Sequence, residues 1–108
     1  MFVINGIKWN IVWCDIGNNN LMRSDGSSTI GMTDWNDRCV YLAKGLKGEL
    51  LRKVLAHELV HCFCFSYDVY IPIDEEERMA NWVALYGAEL VYLLEDLINT
   101  AIKKAYVV

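Results

Sequence analysis

The chain has 108 residues, a hydrophobic fraction of 55%, an aromatic fraction of 12% and a net charge of -4. That length and composition describe one domain, residues 1–108, with enough apolar mass for a core, and they exclude a disordered acidic tail. The ten basic residues are scattered rather than clustered, so direct binding to DNA or RNA is not expected, because the phosphate backbone demands concentrated positive charge.

Phe2-Val3-Ile4 is a short apolar run closed by Asn5-Gly6, with no basic segment before it, so no secretory signal is expected. No stretch approaches the ~18 uninterrupted apolar residues of a membrane span. The expected location is cytoplasmic, with no membrane contact. Ile7, Trp9, Ile11 and Trp13 alternate with Lys8, Asn10 and Val12, the period-two pattern of a strand. Residues 15–28 are rich in Asn, Gly and Ser and read as the longest loop, with a short helical turn at residues 19–23. Residues 29–33 and 38–43 read as two strands joined by the polar turn Asp34-Trp35-Asn36-Asp37.

After Gly45 and Gly48 the pattern becomes helical over residues 49–65. The second half of that helix (Leu59, Val60, Cys62, Phe63, Cys64, Phe65) is apolar nearly all round, as in a helix buried within a small domain. A loop over residues 66–73 follows. Asp74 is the expected N-cap of a second helix, with Glu75, Glu76 and Glu77 in its first turn, where acids favour the dipole. This helix is expected to reach Lys104, bent or divided at Gly87 or Asn99-Thr100, and amphipathic through Leu90, Leu93, Leu94, Leu97, Ile98 and Ile102. The apolar end at residues 105–108 suits a dimer contact or the edge of the core. The fold class is α+β: a short antiparallel sheet of about three strands packed on the first helix and on a long C-terminal helix.

The first helix carries the chemistry. His57-Glu58-Leu59-Val60-His61 uses both histidines of the chain, and four residues is about one turn, so both imidazoles project from one face and can share an ion. Glu58 then lies beside that ion, where it can take a proton from water. Three ionisable groups in an apolar helix are costly to desolvate unless a partner such as a metal compensates them. Catalytic zinc usually takes three protein ligands, and with no third histidine the remaining one must be Asp, Glu or Cys. Consecutive helical residues diverge by about 100°, so only one of Glu75, Glu76 and Glu77 can face the ion. Glu77 is the expected ligand, with Glu76 second and Cys64 an outside candidate. Glu77 shares a face with Asn81, Ala84 and Ala88; the alanines permit close helix approach, and Asn81 can orient a ligating histidine. Cys14, Cys39, Cys62 and Cys64 contain no CxxC pair and are expected as reduced, packed thiols. The four tryptophans are expected as core or rim packing.

Leu55-Ala56-His57-Glu58-Leu59-Val60-His61, followed by Glu77-Arg78-Met79-Ala80-Asn81-Trp82-Val83-Ala84, resembles the ImmA/IrrE-type HExxH metallopeptidases of phages and mobile elements. Ile30-Gly31 and Arg38-Cys39-Val40-Tyr41-Leu42 resemble the hairpin that precedes their active-site helix, so the similarity covers about residues 29–88. The chain departs from the pattern at Met79, where many members carry another Glu, and at Val83, where Phe is usual; neither an opening helix nor a fused helix-turn-helix is evident. The resemblance implies a minimal zincin-like, gluzincin-type peptidase. His57, His61 and Glu77 would bind Zn2+, Glu58 would act as base and acid, and the substrate would be a protein, often a phage or element repressor. A substrate strand is expected to pair along residues 38–43, with Tyr67 or Tyr70 holding the oxyanion. The alternative is a zinc-stabilised interaction module without catalysis.

Overall fold

A computed structural model describes residues 1–102. Four strands are formed: β1 (Phe2–Ile4), β2 (Ile7–Cys14), β3 (Gly31–Asp34) and β4 (Cys39–Ala43). Two helices follow, α1 (Gly48–Ser66) and α2 (Ile73–Leu97), and α2 runs on into a π turn, Ile98–Ile102. A 3-10 turn, Asn19–Leu21, falls where a short helical turn is expected.

The sheet order is β1-β2-β4-β3, with β2 and β4 parallel and the other two pairings antiparallel. The expectation of about three antiparallel strands is therefore corrected to four in a mixed sheet. The extra strand comes from Asn5-Gly6, whose φ values of 49° and 78° suit the two-residue turn that folds β1 back on β2. The parallel pair arises because the chain crosses from the end of β2 to the far edge, forms β3 there, and returns as β4 between β3 and β2.

Alternation along β4 sorts the core into two sides. Val40 and Leu42 pack with Ile4, Trp9 and Cys62 beneath α1, while Tyr41 and Ala43 pack with Cys14 and Leu21 beneath the loop. Burial pushes the Tyr41 hydroxyl and the Cys62 thiol each up to about 12. All four cysteines are free, as expected. Trp9 is fully buried, and its indole N–H donates to the Ser66 hydroxyl at 2.9 Å, while the Asn5 amide donates to the Ser66 carbonyl at 2.9 Å. These two bonds fix the first hairpin to the end of α1. Ile11 and Trp13 alternate in phase with the buried Trp9 yet are exposed, in the part of β2 that β1 no longer flanks.

The helix N-cap is Pro72 rather than Asp74; Asp74, Glu75 and Glu76 instead fill the first turn of α2. The ring of Pro72 fixes φ at -54°, and its carbonyl accepts from the amides of Glu75 and Glu76, so no side-chain cap is required. α2 continues through Gly87 without a break, and its regular winding ends at the π turn around Asn99-Thr100. Lys103 and Lys104, and the apolar end at residues 105–108, lie outside the described residues.

Candidate metal centre

α1 and α2 run antiparallel, so His61 meets Glu76 and His57 meets Asn81. The two Nε2 atoms lie 3.3 Å apart. The Glu77 carboxylate closes the group, with Oε1 2.6 Å from His61 Nε2 and Oε2 3.5 Å from His57 Nε2. One ligand atom from each of the three residues can be chosen so that all lie within 4.8 Å of one another. Tetrahedral zinc with ligands at about 2.0–2.1 Å has ligand–ligand edges of roughly 3.3–3.4 Å. The histidine pair and the longer Glu77 contact lie close to that edge, while the 2.6 Å His61–Glu77 contact is shorter than it and has the length of a hydrogen bond; the donor types and their convergence fit a divalent cation.

The outer nitrogens support the same orientation. His57 Nδ1 faces the Asn81 amide oxygen at 2.9 Å, and His61 Nδ1 faces Glu76 Oε2 at 2.5 Å. Both partners can accept a proton held on Nδ1, the tautomer that leaves each Nε2 able to ligate a cation. The Asn81 contact was expected from its spacing. Glu76, the second-choice ligand, instead stands behind His61, and only 5% of it is exposed. Its position one residue before Glu77 is the only sequence signal for this: neighbouring helical positions diverge by about 100°, so one acid can approach the ion while the next reaches round the ring. Cys64 turns toward Glu76 rather than toward the ligand group, and burial together with that carboxylate pushes its thiol up to about 11.

Glu58 is buried beside the group and lines the same cleft of about 220 Å³ as His57, His61 and Glu77. Its Oε1 accepts from the Thr33 hydroxyl at 2.8 Å, which tethers the side chain from β3. The close approach of β3 to α1 depends on Gly31. A Cβ there would lie 2.6 Å from Val54 Cγ1 and 3.3 Å from Glu58 Oε2.

Arg23, Thr33 and Trp35 complete the cleft, and sequence reasoning did not place them there. Trp35 also stacks on Phe65, with ring centroids 6.1 Å apart. Tyr67 and Tyr70 do not line the cleft: Tyr67 stacks on Phe63, and the Tyr70 hydroxyl donates to Asp68. Residues 38–43 are not a free edge either, since β4 lies between β2 and β3; the free edge at the cleft is β3. Among the described residues, no fourth His, Cys or acid joins the ligand group, and no helix is long and apolar enough to cross a membrane. No protein-family model matches the chain, and no curated protein matches it.

Proposed function

We propose that this protein is a zinc-dependent endopeptidase of the minimal zincin type, with His57, His61 and Glu77 as ligands and Glu58 as general base and acid. The observation that carries this reading is the side-by-side placement of a three-donor group and a tethered carboxylate in one open cleft, with no fourth donor among the described residues. Structural zinc sites are usually closed by four protein ligands, whereas catalytic ones keep a position open. Cys64, the obvious fourth ligand of a purely structural site, faces Glu76 and lies outside the three-residue donor group, which disfavours the non-catalytic interaction module.

Zinc, when bound, supplies Lewis acidity that acidifies a water and polarises a peptide carbonyl. Glu58 accepts the proton of the attacking water and then delivers it to the departing amine. Thr33, by holding Oε1, leaves Oε2 as the atom that carries the proton. Asn81 and Glu76 keep both imidazoles in the tautomer that presents Nε2. A substrate segment adds as a strand along the free edge of β3, which lines the cleft. The substrate in this reading is a protein, and the resemblance to ImmA/IrrE-type peptidases favours a phage or element repressor in the cytoplasm.

The test uses untagged protein. Elemental analysis is expected to give about one zinc per chain, and digestion of a peptide mixture followed by mass spectrometry should reveal chelator-sensitive cleavage. Glu58→Gln should keep the fold and the zinc and lose the cleavage. Absence of zinc removes both zinc readings, and cleavage that survives Glu58→Gln removes this mechanism.

A further inference from the structure

The first residues of α1 come level with Leu90 and Val91, and beyond them α2 continues with no other helix against it among the described residues. The uncovered part is apolar: Leu90, Leu94, Leu97 and Ile98 are 55%, 52%, 44% and 44% exposed. Val83, Gly87, Leu90, Leu94, Leu97 and Ala101 are spaced four, three, four, three and four residues apart, the seam of one helix packed along another. Glu89, Glu95 and Asp96 fall off that seam.

A second bare surface lies on the same chain. Ala56, Val60 and Phe63 of α1 and Met79 and Val83 of α2 line a groove of about 610 Å³ with almost no polar atom in its walls. A further hollow, lined by Arg52, Gly87 and Ala88, lies toward the projecting half. Arg52 forms no ion pair among the described residues, while the stretch 88–102 carries three acids and no base.

We infer that this protein is a two-fold dimer in which the projecting half of α2 from each copy lies in the α1–α2 groove of the other. A second copy supplies both halves of the match, a seam for the groove and a groove for the seam, so one rotation covers both apolar faces. The helices cross where Ala84, Gly87 and Ala88 allow close approach, and the acids of one copy come near Arg52 of the other.

Surface area supports this occupant. The chain exposes 7724 Å², whereas a compact monomer of 12.4 kDa is expected to expose about 6,100 Å². The excess of roughly 1,600 Å² exceeds the ~800 Å² per partner of a standard interface. The radius of gyration, 16.8 Å, likewise exceeds the ~13 Å of a compact chain of this length.

Light scattering coupled to size exclusion on the full untagged chain tests the inference. The expected mass is twice 12.4 kDa. Leu94→Glu should give the single-chain mass with an unchanged circular dichroism spectrum, since Leu94 is 52% exposed and belongs to no buried core cluster among the described residues. Phe63→Glu, in the groove of α1, should do the same. Wild-type protein that remains a single chain at high micromolar concentration overturns the inference and leaves the face to a helix of another protein. A dimer that survives both substitutions overturns the proposed contact.

Discussion

The two halves of α2 have opposite relations between polarity and burial. The first half is covered by α1, yet its inward residues include Glu76, Glu77 and Asn81, which converge on the two histidines. The second half is exposed, yet it carries Leu90, Leu93, Leu94, Leu97 and Ile98. Polar side chains therefore go inward where partners on α1 satisfy them, and leucines remain outside where this chain supplies no cover. Hydropathy alone would have exchanged the two.

The comparison is sharpest at Glu77. Glu77→Ala should weaken zinc binding by more than the ~10–100-fold typical of an outer-shell change, measured by competition with a chromophoric chelator; unaltered affinity would remove Glu77 from the ligand set. Glu76→Gln, which keeps the shape and loses the charge behind His61, should fall within about 10–100-fold in the same assay. Ala80 is fully buried between the helices, and Ala80→Leu is expected to cost about 1–3 kcal/mol by overpacking, read from urea unfolding. Leu93→Ala, in the exposed half, should stay within about 0.5 kcal/mol; a larger loss would show that the distal half contributes to the single-chain core. Smallest of all is the effect of zinc on the distal half: hydrogen exchange should slow near Glu76 and Asn81 on loading and change little beyond Leu90.

The legible features were those with a local cause. Helix α1 and its His57, Glu58 and His61 follow from spacing, and the Asn81 contact follows from one helical turn beyond Glu77. The role of Glu76 did not, because which of two adjacent acids faces inward depends on how α2 is rotated against α1, a tertiary property. β1 reads as a bare apolar run even though Asn5-Gly6 is a strong hairpin signal, because three residues are too few for periodicity to register. The parallel β2–β4 pairing joins distant segments, and no local pattern announces it. Without that pairing, residues 38–43 look like an edge, and the free strand at the cleft is assigned to the wrong segment. Arg23 reaches the cleft from a loop, where side-chain placement follows the fold and not the adjacent residues.

The same parallel pairing bears on how the chain reaches its native form. Each of the β2 residues from Asn10 to Cys14 meets a β4 residue 29 positions later, from Asn10 with Cys39 to Cys14 with Ala43. Turns and helices form in about microseconds or less, but joining segments this far apart requires closing a large loop first. The two hairpins should therefore arise early and the central ladder late, leaving Trp9 solvated until then. Stopped-flow tryptophan fluorescence would register the late step, and Val40→Ala should slow it rather than merely hasten unfolding.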